Sequence, residues 1–164
     1  MALPNKVLPG FSAALYCQPT ATPTPLATAA LATVGTVAPL AIPANQLPVE
    51  AIPAFGQDDA VASFAVAGSR QSDKIPTQAA PTSMTITAAW NPSDANLLLM
   101  RGDAYSGVID RTFIISATDG TGIVYYSFNG RVGEFKVDSA PGAEAKCTFT
   151  VHPRGNQYGW CNNA

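Results

Sequence analysis

Charged side chains are scarce in this sequence. They make up 12% of its 164 residues, against about a quarter in an ordinary soluble domain. A monomer with so little charge has a poorly solvated surface, so much of that surface is expected to be covered by neighbours. Nor is there a basic block: net charge is −2. Gripping nucleic acid takes clustered Lys and Arg to displace counterions, so that class is excluded. A mildly acidic wall can still face DNA without holding it. Aromatic residues are not interleaved with basic ones, which removes a single-strand stacking groove.

Histidine is nearly absent. His152 stands alone, which excludes a His-based metal cluster. A Ser/His/Asp triad would need His152 beside a buried Asp and an activated Ser, and no Gly-x-Ser-x-Gly elbow occurs. Cysteine is rare too: Cys17, Cys147 and Cys161 form an odd, scattered set. That is neither a disulfide framework nor a zinc spacing. Reduced thiols in a cytoplasm are expected; the alternative is a secreted protein with a Cys147–Cys161 bridge. Met1–Gly10 argues against secretion, having two Pro, one Lys and no apolar run of signal-peptide length.

A long apolar run is also missing, although residues 7–49 carry no charge. Seven prolines divide them, and the longest Pro-free piece, Leu26–Ala38, has 13 residues. A spanning helix needs about 20, so no membrane segment is expected.

What remains is a chain of one domain's length. Phe11–Cys17 reads as a short strand. Residues 18–57 are rich in Pro, Ala and Thr and read as an arm or loop region, with apolar pieces lying extended over a surface. From Asp58 the pattern becomes alternation. Ala60–Gly68 and Ser83–Trp90 each put large apolar residues on one side and small polar ones on the other. Ser69–Pro81 between them reads as a long hairpin loop carrying Arg70, Asp73 and Lys74. Ser93 suits a helix N-cap and Asp94 the positive end of the dipole. The helix is expected over Ala95–Ala104, with Gly102 in a capping role.

Asp110–Ala117 is a strand, Thr118–Gly122 a tight turn, and Ile123–Phe128 a strand covered on both faces. Asn129-Gly130 reads either as a hairpin turn or as a glycine bend in one long strand. Ser139–Glu144 is a turn. Ala145–Val151 is the last strand, with Cys147, Phe149 and Val151 inward and Lys146, Thr148 and Thr150 outward. Three motifs have bland explanations. Asp58-Asp59 starts a strand and points two ways, Gly120-Thr-Gly122 is a turn without a phosphate-loop Lys, and Arg101-Gly102-Asp103 is a chance adhesion tripeptide at a helix end.

The segment from Ser83 to Gly155 resembles the tail tube (major tail) proteins of long-tailed phages, most closely the lambda-like type. The resemblance is carried by Ala89-Trp90-Asn91-Pro92, the following short helix, the Asp119-Gly120 turn, the Phe128-Asn129-Gly130-Arg131-Val132 bend and the Lys146-Cys147-Thr148 strand. It covers roughly residues 58–155; residues 18–57 match poorly. It implies a mainly β, sandwich- or barrel-like subunit, residues 1–164 forming one domain with one short helix. It favours the bent continuous strand at Gly130. It also implies hexameric rings whose inner sheets join around a lumen and which stack into a tube for DNA ejection, with no enzymatic activity and no cofactor. Implied partners are other copies of the chain, the tape measure, tip or baseplate and terminator proteins, and double-stranded DNA passing without specific binding. Such a protein resides in the virion tail, assembled in the host cytoplasm. Within it, Arg70, Asp73 and Lys74 fall in the loop that bridges rings, and Ser63, Ala65, Ser83, Thr85 and Thr87 are candidates for the lumen face. Alternatives are another virion β-protein, such as a head decoration or tail completion protein, or a secreted β-sandwich adhesin.

Overall fold

A computed structural model describes residues 12–20, 41–65, 72–118, 123–138, 144–154 and 159–163. Its elements in chain order are β1 (Ser12–Cys17), a short 3-10 turn (Pro43–Asn45), β2 (Gln46–Leu47), β3 (Gln57–Ala65), β4 (Ser72–Pro81), β5 (Met84–Ala89), α1 (Ala95–Ser106), β6 (Asp110–Thr118), β7 (Ile123–Asp138), β8 (Lys146–Pro153) and β9 (Gly159–Asn163). The protein is mainly β. Its antiparallel main sheet curls into a half-barrel that carries the helix. The strand order is β2-β1-β6-β7-β8-β5, with β9 also on β7, while β3 and β4 form a separate two-stranded ribbon.

Strand β7 organises the sheet. Its first half pairs with β9 over Ile123–Ser127 and its second half with β8 over Gly130–Asp138, while β6 lies along the other edge. Asn129-Gly130 is therefore a point within one 16-residue strand and not a hairpin. The glycine is needed for space: a Cβ there would stand 2.9 Å from Val151 Cγ1 and 3.4 Å from the Phe113 ring. Three residues on, the register to β8 shifts between Gly133 and Lys136, and Glu134 takes a left-handed φ of 54°. This bulge lies within the β7–β8 pairing, just past the end of the β6 ladder at Arg131.

The core lies between one face of the sheet and α1. Met84, Ile86 and Ala88 of β5 stand beside Cys147, Phe149 and Val151 of β8, all buried, as the alternation predicts. Leu97 and Met100 close the core from the helix, and Leu15, Leu47 and Phe113 extend it. Phe113 stacks on Phe128 at 5.6 Å and Phe135 on Phe149 at 6.0 Å. Each such ring buried contributes about 1.5–3 kcal/mol. Cys147 is a free thiol within this core.

The helix differs from expectation at both ends. Ser93 does not cap it; its N–H donates to Asn91 Oδ1 in the preceding turn. Asp94 takes the role, accepting from the N–H groups of Asn96 and Leu97 at 2.9 and 3.1 Å. The helix runs past Gly102 to Ser106, because Gly107 supplies the left-handed C-terminal residue and its N–H bonds the Asp103 carbonyl. A second correction concerns Ser69–Pro81. Residues 72–81 form strand β4, not a loop. Pro76 and Pro81 are tolerated because the ribbon has outer edges needing no N–H, and the ladder shifts register between Asp59 and Val61, where Pro76 enters. Strand β9 arises in a tail whose residues show no alternation.

Candidate assembly interface

The five expected lumen residues do not share one sheet. Ser63 and Ala65 stand in β3, opposite Lys74 and Ser72 of the ribbon. Ser83, Thr85 and Thr87 lie at and along β5, which pairs with β8. Alternation indicates which residues share a face of a strand, but it does not choose the partner strand. Of the expected ring-bridging residues, Asp73 and Lys74 lie in β4. Their side chains, and Arg70 with the rest of residues 66–71, lie outside the described residues, as do the turns at 119–122 and 139–143.

The β5–β8 face has the small polar character expected of it. Thr85 stands opposite Thr150 with hydroxyl oxygens 3.5 Å apart, and Thr87 opposite Thr148. Ser83 Oγ lies 2.9 Å from His152 Nδ1. Thr148 completes the face, as the alternation indicated, whereas Thr150, also expected outward, is buried at 8% exposure. Of the cations nearby, Lys136, in register with Thr148, is exposed and forms no ion pair among the described residues, while Arg131 and Lys146 are neutralised. Arg131 donates to Asp110 at 2.8 Å and to the Gly107 and Val108 carbonyls at 3.1 Å each. Lys146 pairs with Glu50, and that contact raises its pKa.

The ribbon is the least supported element. It pairs only with itself. Successive residues Ala60, Val61, Ala62 and Ser63 are all exposed, so both faces of β3 are open there. A lone two-stranded ribbon is marginally stable in water. The main sheet ends on β5, whose outer edge is met only by Pro48–Glu50: Glu50 N–H donates to Thr87 O and Ala89 N–H to Pro48 O. Toward Thr85 no further strand joins it among the described residues.

The reactive side chains among the described residues are each held in other contacts or buried. Asp103 of the adhesion-like tripeptide is 2% exposed and held by Arg111, so it is no exposed ligand. The Arg111 guanidinium also donates to the Pro19 carbonyl. Burial pushes the Cys17 thiol up to about 12, with Arg111 pulling it the other way. Burial likewise raises Cys147. Neither is a thiolate nucleophile near neutral pH. The Ser83–His152 pair sits exposed, and a Cβ on Gly133 would come within 3.2 Å of the ring's other nitrogen; that atom faces backbone where a triad would place a carboxylate. Among the described residues no group of three or more His, Cys, Asp or Glu could hold a metal ion, and no helix is long and apolar enough to cross a membrane.

No protein-family model matches the chain, and no curated protein matches it in sequence. Solved structures do. A chain of the anti-feeding prophage baseplate, from a six-fold symmetrised cryo-EM structure, superposes with a TM-score of 0.62 at 9% identity, over 98% of this chain and 97% of that one. A chain of the anti-feeding prophage cap, which terminates the tube, gives 0.61 at 13% identity over 100% and 95%. The SPP1 tail tube gives 0.53 at 11% identity over 93% and 76%. At these identities the likeness is one of fold, and the fold is that of the phage tail tube and the tail components built like it.

Proposed function

We propose that this chain is a structural subunit of a phage-tail-type tube, forming hexameric rings that stack into a conduit for double-stranded DNA. The observation that carries the proposal is the end-to-end match to a component of a six-fold baseplate and to a tube cap. Three features of the chain support it. Among the described residues the ribbon pairs only with itself and the β5 edge is open toward Thr85, and charge is scarce in the sequence. Joining sheets across subunits covers such edges and closes the half-barrel. In this reading the Ser83/Thr85/Thr87 face with Thr148 lines the lumen. Its hydroxyls and few free cations let DNA slide without being held. Ser63 and Ala65 move with the ribbon, and the ring-bridging role expected of residues 69–81 passes to the ribbon itself. The subunit is assembled in the host cytoplasm, resides in the virion tail, and meets tape measure, tip or baseplate and terminator proteins.

A second reading has specific support. The baseplate and cap chains match this one over nearly their whole length, whereas the tail tube chain extends beyond it. A subunit that forms one ring at a tube end, in the manner of a tail completion protein, fits that pattern. Negative-stain electron microscopy of the purified protein tests both. Long hollow cylinders are expected of a tube subunit and isolated six-fold rings of an end ring. Monomers alone, across all concentrations and with a tail end complex supplied as nucleus, would refute both readings.

A further inference from the structure

Strand β8 carries charge of opposite sign at its two ends. Its start is acidic. Asp138 of β7 stands opposite Lys146, the first residue of β8. Lys146 already pairs with Glu50. Glu50 is the main cause of its raised pKa and Glu144 adds to it, so Glu144 acts in the same place. Asp138 and Glu144 are exposed, and neither forms an ion pair among the described residues. Three carboxylates thus stand against one ammonium.

The far end is basic. Arg154 follows β8 directly, and its backbone N–H donates to the Asn129 carbonyl at 2.8 Å. That bond fixes where its side chain leaves the sheet. Arg131, opposite His152, holds one Asp110 oxygen at 2.8 Å, and Arg154 stands 3.7 Å from the other. The longer contact is an ion pair but not a hydrogen bond. Arg154 is 54% exposed. Two guanidiniums therefore share one carboxylate, and the outer one has donors to spare. The 8 residues of β8 hold the two ends about 25 Å apart. The Debye length at physiological salt is about 8 Å, so the ends of one copy do not neutralise each other. Between them Glu134 and Lys136 are of opposite sign and offset one another.

We infer that the basic end of β8 in one copy docks on the acidic start of β8 in the next, with Arg154 set against Asp138 and Glu144. A nucleic-acid backbone at the basic end would meet the Asp110 carboxylate and would leave the acidic end without a partner. A second copy of the chain supplies a partner for both ends at once. The two patches differ, so the contact is heterologous and passes from copy to copy, closing into a ring or extending as a filament. The inference rests on the reading of the chain as a self-assembling subunit.

Charge reversal tests it. Arg154→Glu gives a chain with two acidic ends, and Asp138→Lys with Glu144→Lys gives one with two basic ends. Each alone should raise the critical concentration for assembly about tenfold or more. An equal mixture of the two should assemble near the wild-type concentration, and the pelleted assemblies should hold both variants in equal amounts. Circular dichroism checks that each variant is folded; should a reversal unfold the chain, the milder Arg154→Gln should still raise the critical concentration, by less. An Arg154→Glu variant that assembles at the wild-type concentration would overturn the contact, and if it also changed the rate of DNA ejection it would make DNA the partner of the basic end. A mixture that assembles no better than its parts would overturn the contact as well. Either result leaves the tube reading standing. A wild-type chain that never assembles would overturn both.

Discussion

Replacing Arg111 by Met should remove a large share of the subunit's stability, and replacing Asp103 at the same time should restore most of it. The two side chains are 5% and 3% exposed. Arg111 grips both Asp103 oxygens, the Nη2–Oδ1 contact being 2.8 Å. Truncating one partner strands a carboxylate away from water, which costs about 3–5 kcal/mol. A domain of this kind has only about 5–15 kcal/mol in total. The double variant Asp103→Leu/Arg111→Met removes both charges and keeps the volume. It should lie within about 2 kcal/mol of wild type, its remaining deficit being the Pro19 carbonyl that loses its donor. Urea unfolding below the assembly concentration reads all three proteins. A single variant losing under about 1 kcal/mol, or a double variant as damaged as the sum of the singles, would refute the reasoning. The pair should also resist alkali. Hydrogen bonding to Asp103 raises the Arg111 pKa, with burial opposing. A raised pKa gives stability that is fully present below the unfolded value, so none of this contribution is lost below about pH 12.

Cys17 loses its contribution in the same direction, but within reach of experiment. Its pKa rises from 9.0 to about 12, so its contribution is whole below pH 9 and drains away toward pH 12, on the order of 1.4 kcal/mol per pH unit. A Cys17→Ala variant with an unchanged alkaline slope in urea titrations would contradict this. Gly130→Ala should cost about 1–3 kcal/mol through its clash with Val151, and distinctly less in a Val151→Ala background; equal losses in both would show that space is not the cause. Glu134→Gly should fall within about 1 kcal/mol of wild type while Glu134→Val loses about 1–3 kcal/mol, since only glycine adopts that φ freely; thermal melts rank them. Thr85→Arg should assemble normally but slow DNA ejection in a single-particle assay, and normal kinetics would remove Thr85 from the lumen. Deleting Gln71–Gln78 should leave a folded monomer by circular dichroism that no longer polymerises, and normal tubes would end the role given to the ribbon.

The sequence showed the strands of the core almost residue by residue, because alternation is a local property. Met84, Ile86 and Ala88 of β5, and Cys147, Phe149 and Val151 of β8, were legible as inward rows without any partner. Partner choice was not legible. Ala60–Gly68 and Ser83–Trp90 look like two arms of one hairpin, yet β3 pairs with Ser72–Pro81 and β5 with β8. A polar, Pro-containing run reads as loop because no apolar row marks it. Gly130 was ambiguous for a related reason. A glycine that permits a turn and a glycine that permits close approach are the same letter, and only the resemblance to tail tube proteins favoured the second. The helix cap slipped by one residue because Ser93 and Asp94 are adjacent and both competent N-caps.

The scarcity of charge means more once the pairs are placed. Nine cations occur in the sequence; Arg111, Arg131, Lys146 and Arg154 each lie within ion-pair distance of an acid of the same chain. Asp103 is buried, Asp110 lies between two arginines, and Asp94 is engaged at the helix N-terminus. The buried Asp103–Arg111 pair holds the fold together, while Lys146 and Arg154 stay 41% and 54% exposed. The exposed charges that keep no partner among the described residues are few, and they are not spread evenly. Arg101 stands on the helix, while Glu134, Lys136 and Asp138 crowd one end of β7. A soluble monomer disperses its free charge over its surface. A subunit that hides most of its surface against copies of itself concentrates free charge where it steers the neighbour into place. The low charge content and the placement of the remainder therefore point the same way, toward a chain whose exposed surface is mostly interface.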